Sequence, residues 1–139
     1  MNDTILALLG YIIWILVLLI CLATYRTLLV AKKEQAVNGF KPDGSDSPAL
    51  GERITRAQSN CVESFAFIGG LMLLALATDS TAITNGLALF LLAARLGQSV
   101  THLISTSELA VQIRFAFFLA QIGICLYWVV LFASKFIGA

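Results

Sequence analysis

Residues 52–65 read Glu52-Arg53-Ile54-Thr55-Arg56-Ala57-Gln58-Ser59-Asn60-Cys61-Val62-Glu63-Ser64-Phe65. Arg53, Arg56, Asn60 and Glu63 stand at i, i+3, i+7 and i+10. On a helix with 3.6 residues per turn they share one face. The stretch that follows, 64–78, carries no charge and is rich in Leu, Phe, Ile and Ala. Charge at membrane depth is costly, and it normally faces a protein interior or a watery cavity. The stripe therefore reads as one wall of a polar pocket cut into a membrane protein.

Composition agrees with that class. The chain has 139 residues, 59% hydrophobic and 12% charged, with a mean hydropathy of +0.90. A soluble domain carries about 25% charged residues. The net charge of +1 offers nothing for a nucleic acid to bind. Four long apolar segments follow one another at about 4–31, 52–78, 81–105 and 108–136. Within them, 5–25 has no charge in 21 residues and 115–134 none in 20. Each is long enough to span a bilayer as a helix. No strand-like alternation supports a barrel. The expectation is an all-α integral membrane protein: one domain over 1–139, a bundle of four transmembrane helices.

The N-terminus lacks the basic region of a cleaved signal peptide, so the first apolar run reads as a helix that stays. Cys21, Cys61 and Cys125 all lie in apolar segments. They read as small buried hydrophobes, with no disulfide and no metal site expected. Basic residues set the orientation. Arg26, Lys32, Lys33, Lys41 and Arg53 flank or occupy the first connection, about 32–51, against Asp3 and Asp79 at the other membrane side. The positive-inside rule places that loop in the cytoplasm and both termini outside. Residues 39–48, Gly-Phe-Lys-Pro-Asp-Gly-Ser-Asp-Ser-Pro, are expected to be irregular. A bacterial inner membrane is the expected location.

Each polar membrane residue has a plain reading beside the functional one. Arg53 lies at a helix start, where snorkelling to the interface is cheap. Arg56 and Glu63 read either as a structural ion pair or as ligands for a polar molecule. Arg95, Gln98 and His102 form a second stripe at i, i+3 and i+7. Arg95 paired with Glu63 accounts for both charges without any chemistry. Arg114 reads as interfacial or as the third contributor to a shared pocket. Phe115, Phe117, Phe118, Tyr127 and Trp128 are expected to pack against lipid or neighbouring helices. The three stripes converge near the cytoplasmic side, where arginines and one glutamate suit an anionic ligand that also carries an amine.

The 52–65 stretch resembles the E-R-x-x-R-A-x-x-N-x-x-E-x-[FY] signature of the MAPEG superfamily, membrane-associated proteins in eicosanoid and glutathione metabolism. Its Asn60-Cys61 pair is similar to the leukotriene C4 synthase and five-lipoxygenase-activating-protein branch. The resemblance implies a homotrimer of four-helix protomers that binds glutathione between subunits as a co-substrate, with no metal. It implies Arg56, Asn60 and Glu63 as glutathione contacts, with Arg53, Gln98, His102 and Arg26 at further binding positions. It implies Arg114 as the catalytic arginine that stabilises the thiolate. A lipophilic substrate then arrives from the bilayer. The sequence departs from the family at His102 and Phe118, where tyrosines are common, and at Ala66, where proline is. Two readings stay open: a glutathione-dependent transferase or peroxidase acting on lipophilic electrophiles or lipid hydroperoxides, and a non-catalytic lipid-binding or scaffold protein of the same fold. A small four-helix multidrug transporter is disfavoured, since those use a carboxylate in the first helix and 5–25 has none.

Overall fold

The computed structural model describes residues 2–32 and 49–138. Four helices run in order: α1 (Asp3–Ala31), α2 (Ala49–Ala77), α3 (Thr81–Ile104) and α4 (Glu108–Ile137). All four are long and apolar enough to cross a membrane. At about 1.5 Å per residue even the shortest exceeds a ~30 Å hydrocarbon core. The helix starting at Glu52 in the sequence reading begins three residues earlier, at Ala49, and the third ends one residue earlier, at Ile104. The irregular stretch expected at 39–48 lies outside the described residues.

Local signals set the helix ends. Asn2 caps α1, its side-chain oxygen accepting from the Thr4 and Ile5 amides. Ser107 caps α4 through the Ala110 amide, and Gly138 follows that helix in the left-handed region at φ 78°. Arg53 serves the end of α3: its Nε donates at 2.8 Å to the carbonyl of Leu103, one of the carbonyls a helix terminus leaves without an intrahelical partner.

Contacts between helices give an alternating up-and-down order. The start of α1 meets the start of α3, where Thr4 Oγ1 lies 2.5 Å from Thr84 Oγ1 and 2.6 Å from Asn85 Oδ1. The start of α2 meets the end of α3 through Arg53. The end of α4 returns to the start of α3, where Lys135 Nζ donates to Ser80 Oγ at 2.8 Å. Helix α3 packs broadly against the other three, α2 also meets all three, and the backbones of α1 and α4 stay apart.

In lipid the tails are as apolar as leucine, so packing and interhelical hydrogen bonds hold helices together. The core follows that logic. Ala7, Ala57, Ala75 and Ala88 let backbones approach, and Leu18, Ile68, Met72, Leu91 and Trp128 fill the space between. Gly97 lies under the Phe117 ring, where a Cβ would come within 2.8 Å of Phe117 Cζ. Outward positions are apolar as well, among them Ile13, Ile20, Phe90, Leu126 and Val130. Such a surface suits lipid rather than water. Cys61 and Cys125 are buried as expected, but Cys21 is exposed. An α1 segment apolar all round carries no periodicity to say which side faces inward, and Cys21 falls on the outer one.

Tyr11 ties α1 to α2: its hydroxyl donates to the Cys61 carbonyl at 2.6 Å, and its ring lies 5.4 Å from Phe65. Tyr11→Phe keeps the ring and loses this buried bond. Stability in detergent should fall by about 1 kcal/mol. Thermal unfolding followed by circular dichroism reads it, and an unchanged midpoint would show the bond to be energetically idle.

Candidate functional site

The polar stripe of α2 meets α3 and α4 near the α3–α4 connection. A cavity of about 270 Å³ opens there, lined by Thr55, Arg56, Ser59, Asn60, Glu63, His102 and Arg114. A second lobe of about 290 Å³ adjoins it, lined by Asn60, Gln98, Val111, Arg114, Phe115 and Phe118. Asn60 and Arg114 belong to both lobes. One lobe is polar; the other has a polar floor of Asn60, Gln98 and Arg114 under apolar walls.

Helical spacing explains the first lobe. Arg56, Asn60 and Glu63 are one turn apart along α2, and they face His102 on α3 and Arg114 on α4. Arg56 is exposed and pairs with Glu52 at 2.8 Å, one turn earlier on the same helix. Exposed pairs of this i,i+4 kind contribute about 0.3–0.5 kcal/mol, so Arg56 exchanges partners at little cost. Glu63 is exposed at the cavity and makes no hydrogen bond or ion pair among the described residues. Arg114 is half-buried, and its Nε is sealed from solvent with no hydrogen-bond partner. The lobe thus holds two guanidinium groups and one carboxylate with capacity to spare.

The Arg95–Glu63 pair, the plain reading of both charges, does not form. Arg95 is 0% exposed, and among the described residues it faces no carboxylate. Its Nε donates to Gln121 Oε1 at 2.9 Å, and its Nη1 donates to Asn60 Oδ1. Its guanidinium also lies 5.9 Å from the Tyr11 ring centroid, in reach of a cation–π contact. Neutral dipoles therefore meet Nε and Nη1 in place of a counter-ion, Nη2 is buried without a hydrogen-bond partner, and Glu63 remains turned to the cavity. Cys61 Sγ and Ser99 Oγ, 3.0 Å apart, close the α2–α3 seam beside this group.

Of the positions singled out in the sequence, the structure brings Arg56, Asn60, Glu63, His102 and Arg114 together around one lobe and adds Gln98 through the second. Arg53 is turned to the α3 terminus and lines neither lobe. Arg26, half-buried near the end of α1, lines neither as well. Gln121 escaped the sequence reading, although it holds the buried arginine. Its signal was present: one amide within the uncharged run 115–134, seven residues after Arg114. A polar side chain in such a run needs a partner.

These features define a class: a four-helix membrane protein with a guanidinium-rich polar cavity at one end of its bundle. The family model for the MAPEG family matches residues 4–134, and the chain belongs to that family. No curated protein and no solved structure matches the chain.

Proposed function

We propose that this protein binds glutathione in the cavity and transfers it to, or uses it to reduce, a lipophilic substrate. The observation that carries the reading is the first lobe, where Arg56 and Arg114 face the same space as Glu63. A tripeptide with two carboxylates, an ammonium and a thiol asks for that set. Arg56 grips a carboxylate, Glu63 takes the ammonium, and Asn60 supplies a neutral hydrogen bond. The Arg114 guanidinium beside the sulfur favours thiolate over thiol.

Family membership supports the reading, since the MAPEG family includes glutathione-dependent enzymes as well as non-catalytic members. The lobe volume of about 270 Å³ falls below the ~300 Å³ at which pockets for whole small molecules begin. A neighbouring subunit would complete the site, in keeping with a homotrimer whose ligand lies between protomers. The second lobe, with Val111, Phe115 and Phe118, admits a lipophilic partner from the bilayer. With an electrophile, the thiolate forms a carbon–sulfur bond while the bond from that carbon to its leaving group breaks and the group departs with the electron pair. With a lipid hydroperoxide, two glutathiones are oxidised to the disulfide while the hydroperoxide is reduced to an alcohol and water. We place the α1–α2 loop, and with it the cavity, on the cytoplasmic side.

Arg56→Ala should abolish glutathione binding to the purified, detergent-solubilised protein, because it removes the group that holds a carboxylate. Calorimetric titration reads this directly, and wild-type affinity in that variant would remove the main support for the proposal. The same apolar walls also fit a non-catalytic lipid-binding role. A protein that ignores millimolar glutathione and co-purifies with fatty acid would favour that reading.

A further inference from the structure

All the amide groups at the floor of the cavity take their orientation from one buried cation. A guanidinium donates and never accepts. The atom of Asn60 that meets Arg95 Nη1 must therefore be its oxygen, and the same holds for the Gln121 atom 2.9 Å from Arg95 Nε. This turns Gln121 Nε2 the other way, where it donates to Gln98 Oε1 at 2.8 Å and to the Phe117 carbonyl at 3.0 Å. With its oxygen so occupied, Gln98 offers Nε2 to Asn60 Oδ1 at 3.3 Å. The circuit closes at Asn60, whose oxygen receives both Arg95 and Gln98. Its Nδ2 makes no hydrogen bond to any described residue, and Asn60 lines both lobes.

We propose that Arg95, which lines neither lobe itself, is a positioning residue: it locks the Asn60 amide with its NH2 toward the cavity, so that Asn60 and Arg114 present only donors to an anionic group of the ligand. This rests on the glutathione reading above and specifies it. An unlocked amide presents its oxygen to the cavity for part of the time, and an oxygen repels a thiolate or a carboxylate. With Arg95 in place the floor favours the thiolate over the thiol and a carboxylate over an ammonium. It also explains a buried charge without a counter-ion. A carboxylate beside Arg95 would satisfy the charge and release Asn60.

The test is a double-mutant cycle on glutathione affinity, measured by titration of the full-length, detergent-solubilised protein. Asn60→Ala removes the donor, and Arg95→Gln removes the lock. Each should weaken binding about tenfold, the order of one charge-assisted hydrogen bond. The double variant should bind no more weakly than Asn60→Ala alone, because Arg95 acts through Asn60. A roughly hundredfold, multiplicative loss would mean that Arg95 acts elsewhere, and wild-type affinity in Arg95→Gln would mean that it does not act at all. Asn60→Asp guards against a bundle that does not fold without Arg95. It keeps an oxygen on Arg95, adds a counter-ion, and deletes the NH2 group. It should melt at or above the wild type and bind glutathione at least tenfold more weakly. Wild-type binding in Asn60→Asp overturns the proposal. Wild-type protein that binds no glutathione at millimolar concentration overturns the glutathione reading itself, and this inference with it, a result separate from additive losses in a protein that does bind.

Discussion

Arg114→Ala is expected to erase the thiolate band from ultraviolet difference spectra of the glutathione complex and to lower turnover by about 100- to 1000-fold. The magnitude follows from how this side chain is held. Arg114 borders both lobes, so under the proposed function its charge stands where a sulfur held in one lobe would meet a substrate in the other. Its Nε has no hydrogen-bond partner although it is shielded from water. A guanidinium whose donors are not consumed by its own protein stabilises an anion strongly in a site of low dielectric. Arg114→Lys keeps the charge and loses the planar fork, so it should retain part of the band. On the proposed reading binding itself should survive in both variants, because that reading assigns the ends of the peptide to Arg56 and Glu63. Glutathione that remains a thiolate in Arg114→Ala would remove this residue from the chemistry.

Gln121→Leu should be among the most destabilising single substitutions in this chain, although Gln121 lines neither lobe of the cavity. Gln121 is 0% exposed and makes three hydrogen bonds, accepting from Arg95 and donating to Gln98 and to the Phe117 carbonyl. Leucine fills similar space and offers none of them. Arg95 Nε would then be a buried, charged donor without a partner, in a protein whose surroundings are lipid. Leaving a buried charged donor without its neutral partner costs about 2–3 kcal/mol. The melting temperature in detergent should drop by roughly 10 °C. Gln121→Glu keeps an acceptor on Arg95 and adds a counter-ion but loses both donors, to Gln98 and to the Phe117 carbonyl, so it should melt above the Leu variant. A Leu variant that melts within a degree or two of the wild type would mean that water, or the Tyr11 ring, is enough for Arg95.

The two substitutions separate what was legible in the residues from what was not. Arg114 stood out because it is a charge beside a 20-residue uncharged run. The α2 stripe stood out for the same reason, and its 3.6-residue spacing placed Arg56, Asn60 and Glu63 on one face before any contact was known. Gln121 is a neutral amide on a helix that is apolar all round, and no periodicity marks its direction. The partners of Arg95 are illegible in the sequence on similar grounds. Opposite charges suggested Glu63, but partner choice depends on which side chains are brought within about 3 Å, and the two amides of Asn60 and Gln121 arrive there first. Arg53 shares the stripe with Arg56 yet turns to the Leu103 carbonyl, because the end of α3 happens to stop beside it.

The sequence by itself determined the class of protein and the number of spans. In lipid every backbone group must be satisfied within the protein, by helices or a closed barrel, and four long apolar runs without strand-like alternation leave four helices. It also determined which turn of α2 would be polar, since a helix converts spacing into a face without help from its neighbours. The tertiary structure decided the rest: that α3 packs broadly against the other three and carries a buried arginine with neutral partners, that Arg53 closes a helix end while Arg56 opens to a cavity, and that Asn60 joins two lobes. Those outcomes depend on which helices touch and at what register. Between helices that are apolar on every side, that choice is made by small residues, ring contacts and a handful of hydrogen bonds, which become visible only once the helices are packed together.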